Sequence, residues 1–391
     1  MTANATIGVL HTIDTTGPGG AETVFREVAR RLDPARFRSV VAIPGEGWLA
    51  QDLRAHGLHP EWLRDARRGW SLRYLTDLVR LVRRQRIDVI HAHLFGASVY
   101  ASVAGLLTRR PVVATFHGDV DIDPEDRAIG AKFALIRAAV PYTVCVSERL
   151  RSSLTAPGRI PAGRCMRIPN GVDVDRYAAA TTLKRQRGHS ADGTVVIGAL
   201  GNIRPAKDYG GLLRAIAILA ARTDGPRFRL VIAGQPDRAG LYESLLAERA
   251  ALGLDDRVSF IGHCADVPEF LAGLDLFVMG SVSEGLPVAV LEAMASGVPV
   301  VATRCGGPEE ALRDRESGVL VPPRDPAALA GAIVWLADEP ERARALAGQA
   351  LADVHARFSM EAMVGAYEGL YEQLAARAGR DDAPARMRWT P

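Results

Sequence analysis

Cysteine is scarce in this chain and badly placed for metal chemistry. The four that occur, Cys145, Cys165, Cys264 and Cys305, include no C-x-x-C pair. None has a zinc-like set of neighbours, so they read as free thiols of a reducing compartment. Long apolar runs are missing too. No stretch would span a bilayer, and Met1–Thr6 has no signal-peptide character. The expectation is a cytoplasmic protein whose membrane contact, if any, is peripheral at the inner face. Charge of one sign is not in excess. The net charge is +3, too small to point to nucleic acid as a partner.

What is there is an ordinary globular composition, 48% hydrophobic and 24% charged. At 391 residues the chain suits two domains rather than one core. Both halves alternate short apolar strands with amphipathic helices, an α/β pattern. Ile7–Ile13 runs into Thr16-Gly17-Pro18-Gly19-Gly20-Ala21-Glu22 and then a helix, the order of a Rossmann-type unit. The dinucleotide fingerprint fails, because Glu22 stands where the third glycine belongs, so NAD binding is not expected. Ser71–Gln85 puts Leu72, Leu75, Leu78, Val79 and Val82 on one inward face. Arginines surround it, among them Arg64, Arg67, Arg68, Arg73, Arg80 and Arg83. A solvated face accounts for them, and a basic rim would also suit anionic lipid. His91-Ala-His93 and Thr115-Phe116-His117 end two further strands, where open α/β sheets bind ligands. His91 reads as a core residue. No third ligand joins these histidines in the pattern, so no metal is expected.

The stretch Asp275–Glu310 organises the rest. Leu276–Met279 is an apolar strand, Pro287 suits a first helical position, and Gly297 stops that helix. Val298–Ala302 is the next strand. Glu284 precedes the short helix, and Glu292 lies inside it among Ala289, Leu291, Ala293 and Met294. A carboxylate in such company is costly unless it is hydrogen-bonded. An ordinary side-chain partner would serve, and so would vicinal sugar hydroxyls. Gly285 and Leu286 offer backbone N–H groups at the helix N-terminus, which favours phosphate. Phosphate at the tip and sugar along the side describe a nucleotide diphosphate sugar. Upstream, Val195–Leu200 enters Gly201-Asn202-Ile203-Arg204-Pro205-Ala206-Lys207-Asp208, where two cations at a strand-to-helix turn can neutralise a diphosphate.

Glu284-Gly-Leu-Pro-Val-Ala-Val-Leu-Glu292 matches an EX7E signature. With the glycine loop, the histidine segments, Met166–Asp173 and Gly201–Asp208 in the same order, the chain resembles the GT4-type retaining glycosyltransferases of GT-B fold, the glycosyl transferases group 1. The resemblance covers nearly the whole chain and is strongest from Val258 to Pro323. It implies two Rossmann-like domains across a cleft, with an acceptor-binding domain at 1–177 and a linker at 178–193. The nucleotide-sugar domain is then 194–357. A helix at about 358–374 returns to the first domain, and the sequence beyond it, 375–391, is expected to be a disordered tail. It also implies transfer of a hexose-type sugar to a glycan, lipid-linked or small-molecule acceptor, in polysaccharide or glycoconjugate biosynthesis, with no cofactor and no metal.

Residue by residue, the resemblance brings Gly19 and Gly20 to the donor, and Glu22 and His93 to the acceptor side. His117 lies by the transferred sugar. Gly234, Gly262 and His263 border the base pocket. Glu284 orients the sugar, Gly285 and Leu286 hold phosphate, and Glu292 holds ribose hydroxyls. His117, Glu284, Lys207 and Arg204 form the catalytic group. Asp119-Val-Asp121-Ile-Asp123 becomes an acidic loop near the acceptor. One departure stands out. The family's arginine directly after the glycine is Asn202 here, and Arg204, two residues on, is expected to replace it in binding the diphosphate. Two other readings share the architecture: a nucleotide-sugar epimerase, and a non-catalytic scaffold. The retained Glu284, Lys207, His117 and Glu292 argue against the scaffold.

Overall fold

A computed structural model describes residues 6–64, 71–119, 122, 125–178, 193–236 and 240–378. The linker expected at 178–193 and the acidic loop after Asp119 lie largely outside them. Two parallel sheets carry the fold. The first contains β1 (Ile7–Ile13), β2 (Phe37–Ile43), β3 (Glu61–Trp62), β4 (Val89–His93), β5 (Val112–Phe116), β6 (Tyr142–Cys145) and β7 (Cys165–Arg167), in the order β3-β2-β1-β4-β5-β6-β7. The second contains β8 (Val195–Leu200), β9 (Phe228–Ala233), β10 (Val258–Gly262), β11 (Leu276–Met279), β12 (Val300–Thr303) and β13 (Val319–Val321), in the order β10-β9-β8-β11-β12-β13. Parallel strands are covered by helices on both faces, so they are apolar along their length rather than alternating. Strands β4, β5, β11 and β12 are buried throughout. The two-domain α/β architecture expected from the strand and helix pattern is the one observed.

Both sheets reverse strand order at their first strand. β1 lies between β2 and β4, and β8 lies between β9 and β11. Loops leave such a point in opposite directions, so a crevice opens at the strand carboxyl ends. The loops after β1, β4, β8 and β11 all line one cavity between the sheets.

The chain crosses between the domains twice, side by side. Val172 on the outward crossing donates to Phe358 (2.9 Å) and accepts from Met360 (3.2 Å) on the return. The last helix, Met360–Ala378, then buries Met363, Tyr367, Leu370, Tyr371 and Leu374 against Val9, Val28, Val89, Val113 and Val144 of the first domain. Buried phenols need partners. The Tyr371 hydroxyl meets His91 Nδ1 at 2.6 Å, and the Tyr367 hydroxyl meets Thr115 Oγ1 at 3.2 Å.

Several expectations need correction. Leu72 is not inward; it is 77% exposed, and its helix buries Tyr74, Leu78, Leu81 and Val82 instead. Leu72 is the first residue of that helix, ahead of the turn that packs. Pro287 is the N-cap, with the helix beginning at Val288. The last helix continues through residues 375–378, so the tail does not begin at 375. A helix at Pro340–Arg357 has no counterpart in the sequence reading.

Candidate active site

The second domain supplies one wall. Glu284 accepts from Lys207 Nζ and from Ser281 Oγ, each at 2.7 Å, and both bonds go to Oε1. The Lys207 and Glu284 side chains are mostly buried, so the pair is shielded from screening more than a surface ion pair. Gly285 brings its backbone against the opposite domain. A Cβ there would lie 1.9 Å from the His117 carbonyl oxygen, which only glycine avoids. Gly307 is pressed in turn against Gly285, where a Cβ would sit 1.8 Å from the Gly285 oxygen. Leu286 is buried, and its carbonyl accepts from Asn170 Nδ2 at 2.7 Å.

Glu292 lies in the helix Val288–Ala295 that follows this loop, and it is buried. The Tyr177 hydroxyl donates to its Oε1 at 2.6 Å. Burial pushes the carboxyl pKa up, and the Tyr177 bond with the Arg176 and Arg26 charges opposes that. Tyr177 is thus a protein partner for the carboxylate that sequence left without one. No local pattern announces it, since 115 residues separate the two.

The turns after β8, β9 and β10 pack side by side. A Cβ on Gly234 would lie 1.9 Å from the Gly201 oxygen, and Gly234 N donates to the Gly262 carbonyl at 2.7 Å. Arg204 is exposed and lines the cavity. Asn202 does not lie free for a phosphate. Its Nδ2 donates across the cleft to the Pro18 carbonyl at 2.7 Å. His263 also reaches across, accepting from Trp48 Nε1 at 3.0 Å.

The first domain supplies the other wall. Gly19 and Gly20 lead into the helix Gly20–Arg31, and Glu22 is buried with Oε1 accepting from Thr15 Oγ1 at 2.6 Å. His117 faces the cavity, and its imidazole pKa is pushed down to about 3 by burial. His93 does not reach the acceptor side. It is fully buried behind His117, with Nδ1 3.0 Å from His117 Nε2. Side chains alternate along a strand, so His93 shares a face with His91 rather than projecting past the strand end.

A third histidine joins this group. β1 and β4 pair in a register that sets His11 beside His91, and the ligating atoms of His11, His91 and His93 lie within 4.8 Å of one another. Sequence spacing hid this, because His11 comes from a different strand. Both nitrogens of His91 are already engaged, by Tyr371 and by Thr115 at 2.8 Å. The three rings therefore offer fewer free ligands than a structural metal site uses. Burial holds all three imidazoles well below their usual pKa, hence neutral.

One cavity of about 320 Å³ gathers these walls. Every residue expected at the site lines it except Gly262 and His93. A second cavity of about 370 Å³ adjoins it, and Glu292, Trp48 and His263 line both. The family model for Glycosyltransferase Family 4 matches residues 18–176, and that for Glycosyl transferases group 1 matches residues 194–339.

The chain is a family 4 glycosyltransferase.

It is 31% identical over 396 residues to the D-inositol 3-phosphate glycosyltransferase of Nocardia farcinica, covering 92% of this chain and 82% of that one. It is 26% identical over 326 residues to the N-acetyl-alpha-D-glucosaminyl L-malate synthase of Bacillus anthracis, covering 81% and 82%. Its fold is that of Anabaena Alr3699/HepE in complex with UDP-glucose, with TM-score 0.82, 23% identity, and 94% and 100% of the two chains covered. Within this glycosyltransferase the wall carrying Glu284 and Glu292 falls in the group 1 region, and the wall carrying Glu22 and His117 in the family 4 region. Thr15, Trp48, Tyr177 and Ser281 also line or brace the site. Of these only Ser281 had a local signal, three residues before Glu284.

Proposed function

We propose that this glycosyltransferase moves a hexose-type sugar from a nucleotide diphosphate sugar to a glycan, lipid-linked or small-molecule acceptor, with retention and without a metal. The observation carrying this reading is the meeting, in one cavity, of Lys207, Arg204, the Gly285 loop and Glu292 with His117 from the facing wall. Residues 194–357 take the donor. Glu292 accepts from ribose hydroxyls, and Glu284 orients the sugar. The Gly285 and Leu286 amides, Lys207 and Arg204 take the diphosphate. Gly19 and Gly20 approach it from the first domain, and Gly234, Gly262 and His263 border the base.

Charge grows on the diphosphate as its oxygen parts from the anomeric carbon. Fixed cations and amides aimed at that charge act most strongly in the transition state. The acceptor oxygen bonds to the anomeric carbon on the face the phosphate leaves, and its proton passes to the departing phosphate oxygen. Residues 1–177 form the acceptor side, with Glu22 on it. We assign no nucleophile to this reading.

A screen of UDP, GDP and ADP sugars for donor hydrolysis tests the donor. D-inositol 3-phosphate and L-malate, the acceptors in two relatives' names, head the acceptor screen. The product's anomeric proton coupling reads retention, and inversion would sink that part. Conversion of a nucleotide sugar with no acceptor would restore the epimerase alternative, which neither of the two named relatives supports. Turnover should persist in excess EDTA, because on this reading Lys207, Arg204 and the loop amides neutralise the diphosphate in a metal's place. Complete loss, restored by magnesium or manganese, would overturn metal independence.

A cytoplasmic protein meeting the inner membrane face belongs to the same reading. Among the described residues no helix is long and apolar enough to cross a membrane. Leu72, Leu106 and Leu107 are 77%, 52% and 56% exposed, on two adjacent helices that also present Arg73, Arg80 and Arg83. Apolar side chains among arginines suit an anionic lipid surface. Flotation with anionic but not neutral vesicles is the expected result.

A further inference from the structure

The segment that leaves the first domain makes an isolated bridge at Val172, turns helical over 174–178, and bonds the loop and helix that carry Leu286 and Glu292. Asn170 holds the Leu286 carbonyl at one end of that unit, and Tyr177 holds Glu292 at the other. The segment is itself anchored. Gly171 N donates to Met363 Sδ at 3.1 Å, and Val172 pairs with the returning chain on both sides. We propose that Tyr177 is a positioning residue for donor binding, its hydroxyl holding Oε1 of Glu292 so that Oε2 is aimed at the ribose hydroxyls. This rests on the reading that Glu292 takes those hydroxyls.

The chemistry leaves little choice of roles. A buried phenol beside a carboxylate donates, because the carboxylate when ionised only accepts. Tyr177 is 4% exposed and Glu292 9%, so water cannot replace that bond freely. The bond goes to Oε1 alone and leaves Oε2 for the ligand. Burial works against the charged form, and the Tyr177 bond is the nearest influence that restores it. The other charged and titratable groups facing Glu292 are Arg176 on the same crossing, Arg26 from the first-domain helix, and His263 and Cys264 after β10. Arg26 is itself engaged by Asp52 and Glu27, which limits its compensation.

The test is Tyr177→Phe, which keeps the ring and so the packing. Calorimetry would use whichever of UDP, GDP and ADP binds the unaltered enzyme most tightly. Affinity should fall about tenfold, the scale of one hydrogen bond to a charged group. The acid limb of the affinity–pH profile should move to higher pH, because Glu292 then loses a bond that favours its ionised form. Adding Tyr177→Phe to Glu292→Gln should cost little more than Glu292→Gln alone. Unchanged affinity, an unmoved acid limb, or fully additive losses would each overturn the role of Tyr177. If Glu292→Gln leaves affinity intact, the ribose reading fails first and this inference with it. If Glu292→Gln weakens binding and Tyr177→Phe does not, only this inference fails.

Discussion

Arg204 and Asn202 sit on one turn but are spent differently. Asn202 is tied to Pro18 across the cleft, while Arg204 lines the cavity with its side chain exposed. If Arg204 meets the leaving diphosphate, Arg204→Ala should cut turnover at saturating donor roughly a hundredfold or more. Asn202→Arg added to Arg204→Ala should recover part of it. Recovery is only partial because the arginine also breaks the Pro18 contact. Near-normal turnover in Arg204→Ala would leave Lys207 acting alone. At this scale the sequence was legible where a residue's type and spacing put it on the cavity wall, as with Glu284, Glu292 and Lys207. It was silent where meaning came from a distant partner. Tyr177 is one such residue, and His93 was misplaced because a strand-end position tells the level in a sheet and not what covers that face.

The loop from Ser281 to Pro287 is an element whose shape matters more than its side chains. Its glycine touches the other domain at the His117 carbonyl. A methyl group there cannot be absorbed by a flexible neighbour, because the obstacle is backbone. Gly285→Ala should displace the loop from His117 and reduce turnover roughly a hundredfold, the effect of about a 1 Å misplacement. Single-turnover rates with bound donor would read it, and a normal rate would mean the contact is absent in the working enzyme. Strands such as β11 and β12 were readable as apolar runs closed by glycine. The Pro340–Arg357 helix was not, because Leu346, Ala347, Ala350 and Val354 are its main buried apolar residues among many charges and alanines. Its place is decided by contact with the helix Val288–Ala295 rather than by its own pattern.

Among the described residues, polar contacts between the two domains add to the buried cluster they share. Trp48 to His263 and Asn202 to Pro18 span the cleft, and Arg149 bonds the Cys305 carbonyl. A bond made only in the closed state shifts the open–closed balance by its own free energy, about 0.5–1.5 kcal/mol for one hydrogen bond. Trp48→Phe should therefore open the free enzyme by about two- to tenfold in population. Small-angle scattering should report a larger radius of gyration without ligand and recovery with a nucleoside diphosphate. An unchanged radius would mean the domains are held elsewhere. Closure also has a history, set by the helix that returns from the second domain. A ribosome delivers β1 to β7 long before it delivers Met363, Tyr367 and Tyr371. The core of the second sheet, drawn from Ile197 to Leu346, can close first. Until the last helix emerges, Val9, Val28, Val89, Val113 and Val144 have lost part of their cover, and contacts so far apart in sequence form slowly. The half translated first is then the last to finish folding, and in the interval it presents the kind of bare apolar sheet that chaperones bind.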